Sequence, residues 1–258
     1  MAKIYARSGL EIITGTLLYK RRLQDPYFEE KLPKPSTTAT KETAMSPRAN
    51  FRRTMTRVQS LIRLNRNLQR RGRPPKENQD LLRATVVLSL GALDAVVADV
   101  IVDAVPAAAK LAKIGQQIQK WIEEKPEEVL LLFTDADPAH ALAGFTRDRL
   151  ADMTLQYAAA IDRTLRDTIQ LKSPWAVAGR KVGLTPKEIK DELDGFVARR
   201  NDIAHRGDVV KGGTALQAIT LKWVEDRIGY VSAIGEAICD IATKAYGPKR
   251  GRPKAKKI

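Results

Sequence analysis

The residues Arg199-Arg200-Asn201-Asp202-Ile203-Ala204-His205-Arg206-Gly207-Asp208 gather the groups best suited to move a proton and hold an anion. His205 is one of only 2 histidines in 258 residues. An imidazole titrates near neutrality and can act as acid or base at physiological pH. A guanidinium stays charged, and its planar fork matches phosphate oxygens. Together they suit cleavage of RNA without a metal. The imidazole would assist attack by a ribose 2′-hydroxyl or protonate the leaving oxygen, and the arginine would stabilise the charge that develops on phosphorus. The bland alternative is a histidine that caps or packs a helix end.

Helical spacing sets what these groups can share. At about 100° per residue, Asn201 and His205 lie on one face. Arg200 and His205 are about 140° apart, so only a long, bending side chain brings both to one target. Asn201 either holds the imidazole or contacts a phosphate. Arg199 faces elsewhere, and Arg199 and Arg206 are candidate contacts to an RNA backbone. Ile203 and Ala204 let one side of the turn pack.

The helix that must carry these residues has readable ends. Thr185-Pro186-Lys187-Glu188 has the form of a capping box with proline at the first helical position, and Gly207 is a left-handed cap. Lys211-Gly212-Gly213 forms a loop beside the site, and Thr214 is expected to cap a last helix reaching about Tyr246. Upstream, residues 78–104 make the most apolar helix, central or at a dimer interface. Asp94 sits inside it, where an unpaired carboxylate is costly. It either approaches the arginine–histidine turn as a candidate substrate-binding group or has a structural partner. Pro106 ends or bends this helix.

Other helices are expected over about 49–68, 107–122 and 147–171. Residues 173–183 are expected to be a connection. His140 has no matching arginine motif and reads as structural. No strand signal is visible.

The segment Arg200-Asn201-x-x-x-His205 resembles the R-x4-6-H signature of the HEPN superfamily. The run from Leu193 to His205 and the helix from Leu81 to Ala95 are similar to the RiboL-PSP-HEPN branch, in the right order, and the likeness covers roughly Phe51 to Ala245. It implies an all-α, HEPN-like helical bundle and a homodimer in which two motif copies meet across a symmetric cleft. It further implies, often, a metal-independent endoribonuclease of a defence or toxin system, with an antitoxin as a candidate partner. His205 would be acid or base, Arg200 the phosphate contact and Asn201 an orienting group. Some members of the superfamily are idle as enzymes.

Charge divides the chain into three stretches. The net +15 comes from residues 1–76, with 18 Lys and Arg against 5 Asp and Glu, and from residues 249–258, with 6 basic residues and no acidic ones. The stretch between them is slightly acidic. We therefore expect a basic, partly disordered N-terminal segment over 1–48, a helical domain over 49–246 and a basic tail over 247–258. Arg52, Arg53, Arg57, Arg63, Arg66 and Arg70 lie on the first domain helix, as a nucleic-acid-facing surface or a solvated face.

Arg-Gly-Arg-Pro occurs twice, at Arg71-Gly72-Arg73-Pro74 and Arg250-Gly251-Arg252-Pro253, and resembles the core of the AT-hook. A low glycine backbone and flanking arginines suit a narrow A·T minor groove. Hence the alternative function: a non-catalytic DNA-binding protein with a dimeric helical core, holding A·T-rich DNA through Arg71, Arg73, Arg250 and Arg252. The single cysteine, Cys239, excludes an intramolecular disulfide, and with 2 histidines it argues against a zinc site. No cofactor is expected. No signal peptide and no membrane span are read from the sequence, so a cytoplasmic location is expected.

Overall fold

A computed structural model of the chain describes residues 45–69, 76–128 and 137–247, all within a unit that begins at Met45. The basic segment up to Ala44 and both Arg-Gly-Arg-Pro motifs with Arg71, Arg73, Arg250 and Arg252 lie outside the described residues. The described chain is all-α. Its helices are α1 (Pro47–Gln69), α2 (Lys76–Lys110), α3 (Gln116–Glu124), α4 (Pro138–Ala151), α5 (Ala158–Ile169), α6 (Trp175–Val182), α7 (Pro186–Arg206) and α8 (Leu221–Tyr246). Among the described residues no strand forms, only an isolated antiparallel bridge between Val209 and Leu216.

The bundle is organised around α2. Leu82, Val86, Leu90, Leu93, Val97 and Ile101 are buried in it, and helices α1, α4, α5, α7 and α8 all pack against it. A helix apolar on most sides belongs at the centre of a bundle. α2 is also long and apolar enough to cross a membrane, yet 61% of its most apolar window is buried inside the bundle. The helix runs through Pro106 to Lys110. Burial of Val105 and Ala108 holds the turn that proline weakens.

Four other helix expectations change. The helix expected from residue 107 starts at Gln116 instead. The long helix expected over 147–171 is two helices, broken at Asp152–Tyr157. The connection over 173–183 contains α6, which lodges Trp175 in the core. The last helix begins at Leu221 and not after Thr214, with the Thr220 side chain accepting from the Trp223 amide.

α1 lies across α8 through a tight contact. Phe51 packs on Gly235, where a Cβ would come within 2.3 Å of the ring. The basic side of α1 is partly explained by the same pairing. Arg48 binds Glu236 and Asp240, Arg52 binds Glu236, and Arg66 binds Glu225. Those arginines are matched to acids of α8, whereas Arg57 remains on the solvated face.

Candidate functional site

The helix that carries the motif is fixed at both ends as its sequence dictates. The Glu188 amide donates to Thr185 Oγ1 at 3.2 Å, and the Thr185 amide donates to Glu188 Oε2 at 2.7 Å. The bond from the Thr185 amide is the main reason the Glu188 carboxyl is held below its ordinary range. Ile189, Leu193, Phe196 and Val197 bury one stripe. The ring of Phe196 meets Trp223 edge-on, with centroids 5.5 Å apart. This stripe fixes the rotation of α7, and the motif follows on its last two turns.

The two adjacent arginines have different roles. Arg199 turns toward the segment after the helix, donating to Asp208 Oδ2 at 2.9 Å, Gln217 Oε1 at 2.5 Å and the carbonyls of Gln217 and Ala218. Expected to touch an RNA backbone, it instead anchors this loop. Arg200, one position on, is half-buried and has no carboxylate partner among the described residues. Its Nη1 donates to Asn201 Oδ1 at 3.2 Å, and its buried Nε has no partner there. A half-buried guanidinium with an unmatched charge is a site for an anion.

Asn201 does not hold the imidazole. Its Oδ1 accepts from Arg200 and its Nδ2 donates to the hydroxyl of Tyr157 at 2.9 Å. Arginine can only donate, and this fixes the orientation of the amide. His205 is exposed and makes no side-chain hydrogen bond or ion pair among the described residues. Arg206 is exposed and pairs with Asp202 one turn back. That bond, ahead of the opposing effect of burial, holds the Asp202 carboxyl below its ordinary range.

Past Arg206 the chain reverses. Gly207 and Asp208 both take left-handed conformations, with φ of 62° and 61°. The Asp208 amide donates back to the Asp202 carbonyl at 3.0 Å. The Val210 amide donates to the Ala215 carbonyl and the Gln217 amide to the Asp208 carbonyl, each at 2.8 Å, closing a small hairpin beside the motif. Asp208 is wholly buried, with its Oδ2 between Arg83 of α2 and Arg199 of α7.

Asp94 binds the segment between α4 and α5. Its Oδ1 accepts from the Leu155 amide at 2.7 Å, and its Oδ2 from Gln156 Nε2 at 3.4 Å. Asp194 of α7 accepts from the Ala158 amide at 2.8 Å. The two carboxylates hold the break between α4 and α5 from both sides, and Tyr157 lies between those anchor points. Of the substrate-binding side chains expected from sequence, Asp94 therefore has a structural partner in the segment that leads to Tyr157.

Sequence reasoning missed Tyr157, Asp194, Arg83, Asp208 and Gln217 as parts of the site. Arg83 did carry a signal, as an arginine inside the most apolar helix, which needs a buried acid somewhere.

The sequence profile of the RiboL-PSP-HEPN family matches residues 53–244, well over half of the chain. The chain belongs to the RiboL-PSP-HEPN family. Comparison with curated proteins and with solved structures returned no match. The segment from Arg200 to His205 lies on α7, inside the matched span. Among the described residues no cluster of three or more His, Cys, Asp or Glu side chains is placed to hold a metal ion.

Proposed function

We propose that this HEPN protein is an endoribonuclease that works without a metal and as a homodimer. The observation that carries this reading is the pairing, on one helix end, of a half-buried arginine lacking an acid partner with an exposed, unbonded imidazole. Arg200 would bind the scissile phosphate and stabilise its developing charge. His205 would take the proton of the 2′-hydroxyl or give one to the leaving 5′-oxygen. The 2′-oxygen then bonds to phosphorus as the 5′-oxygen departs, leaving a 2′,3′-cyclic phosphate and a 5′-hydroxyl. Asn201 orients Arg200 and not the imidazole. Arg206, exposed beside His205, is a contact for the RNA backbone.

Because the motif ends α7 at the surface, a second copy of the chain supplies the other wall of a cleft, and the two motifs act together. The charge split of the sequence supports a role for the arms in gathering RNA. A defence or toxin role, with a restraining partner, fits a nuclease of this kind.

The test is incubation of the full chain with short RNA, in the presence of EDTA, followed by end-group analysis. Cyclic-phosphate ends support the reading. His205→Ala should cut at least about 100-fold more slowly, the scale of lost acid–base catalysis, with an unchanged helical spectrum. Equal cutting by wild type and His205→Ala defeats it. The second reading, A·T-rich DNA held by Arg71, Arg73, Arg250 and Arg252, rests on the repeated Arg-Gly-Arg-Pro motif. On this second, non-catalytic reading a chain ending at Tyr246 should lose DNA binding, whereas on the first it should keep most cleavage of a short RNA.

A further inference from the structure

We propose that Tyr157 contacts the RNA directly, its phenol donating a hydrogen bond to a phosphate oxygen beside Arg200. The inference rests on the endoribonuclease reading and adds a residue that lies 43 positions before the motif arginine. Tyr157 is 38% exposed. Its hydroxyl oxygen accepts from Asn201 Nδ2 at 2.9 Å, and among the described residues nothing accepts its hydrogen. Arg200, Asn201 and Tyr157 thus form one chain of donation: guanidinium to amide oxygen, amide nitrogen to phenol oxygen. Each acceptance makes the next group a better donor. The chain begins at the charge that would bind phosphate and ends at a solvent-facing O–H.

The backbone that carries the phenol is also held on both sides. Asp94 from α2 and Asp194 from α7 clamp the backbone on either side of it, and the Tyr157 carbonyl accepts from the Ile161 amide at 2.9 Å as α5 begins. A backbone held by the central helix and the motif helix at once keeps its position relative to both. A preorganised donor of this kind is what recognition of an anionic backbone requires.

Binding separates this idea from cleavage. The probe is a single-stranded 2′-fluoro oligonucleotide, which keeps RNA-like sugars and phosphates but lacks the attacking hydroxyl. Affinity is measured for the full chain, Tyr157→Phe, Asn201→Ala and the double variant. Tyr157→Phe should bind about 10-fold more weakly, the scale of one hydrogen bond to a charged group. It should still lose affinity, by a smaller factor, in the Asn201→Ala background, because the contact is to RNA and not only to Asn201. No loss in Tyr157→Phe overturns the proposal. So does a loss that vanishes in the Asn201→Ala background, which would make the phenol a prop for the amide, and so does a wild type that fails to bind. A wild type that binds through Tyr157 yet cuts no RNA sustains the contact and ends the nuclease reading alone.

Discussion

Asp208 Oδ2 accepts from Arg83 Nε at 2.6 Å in a spot closed to water, linking the loop after the motif to the central helix. Arg199 reaches the same oxygen from the motif helix. One buried carboxylate therefore ties α2, α7 and the 208–217 hairpin together. Among the described residues, removing the acid leaves Arg199 without a carboxylate and Arg83 with only the exposed Asp80, and breaking a buried pair costs about 3–5 kcal/mol. Asparagine tolerates the left-handed backbone at this position, so Asp208→Asn isolates the charge. We expect it to lower unfolding stability by about 3 kcal/mol in a urea titration. A change near zero would mean that the two arginines find solvent or other acceptors when the acid is gone.

Asp94 acts on the site from a distance. Asp94→Ala leaves the Leu155 amide and Gln156 without their acceptor and should cost about 1–3 kcal/mol of stability. On the proposed reaction it should also slow RNA cleavage roughly tenfold, the scale of one misplaced contact to a charged group, because the backbone at Tyr157 loses one of its clamps while the helix carrying Arg200 and His205 keeps its caps. The check is cleavage rate alongside hydrogen exchange at residues 153–158. Faster exchange with an unchanged rate would show that this segment does not serve the chemistry.

The all-α bundle and the motif helix were legible because their signals are local. Thr185, Pro186 and Glu188 write the start of α7, Gly207 writes its end, and the apolar spacing of Ile189, Leu193 and Phe196 writes its buried face. The break before Tyr157 was not legible. Alanines and leucines continue a helical pattern through residues 147–171, and what stops the helix is Asp94, 61 residues upstream of the amide it accepts. Spacing puts Arg199 and Arg200 on different faces, but does not say which of them finds an acid. They are chemically identical neighbours, and only the return of the chain at Asp208 and Gln217 decides which one is matched. The start of α8 was misread because Thr214 and Thr220 are both good caps, and the hairpin after Asp208 keeps the first from opening a helix.

The contact between α1 and α8 should weaken in acid. The hydrogen bond from Arg52 is the main reason the Glu236 carboxyl lies below its ordinary value of about 4.5, with Arg48 and Lys181 also favouring the ionised form. For Asp240, burial pushes upward, but the bonds from Lys181 and Arg48 outweigh it and the net shift is downward. Because the folded state favours the ionised carboxylates, their stabilisation is complete above the unfolded value and is lost as pH falls through the lower, folded value. Glu236→Gln should therefore be less stable than wild type at about pH 7, by about 1 kcal/mol for pairs still open to solvent screening. The gap should close as pH drops below about 4.5. Thermal unfolding of both chains across this range checks it, and a gap that stays constant with pH would show that the pairs contribute nothing through charge.

Cys239 reports on the same contact by its reactivity. It is buried against α1, and burial pushes its thiol up to about 11, although Arg48 pulls the other way. The thiol borders a cleft lined also by Arg48, Val100, Asp103 and Thr243. A small reagent thus has a path to it, and what is scarce is thiolate, the reactive form. Far below its pKa the thiolate fraction grows tenfold per pH unit. Alkylation of the native protein by iodoacetamide should therefore be slow at pH 8 and keep rising about tenfold per unit to pH 10. A thiol of ordinary acidity would level off near pH 9, and a rate set by opening of the bundle would not follow the thiolate at all. The slope of rate against pH distinguishes the three, and only the continued rise agrees with a thiol whose ionisation is opposed by the packing of α8 on α1.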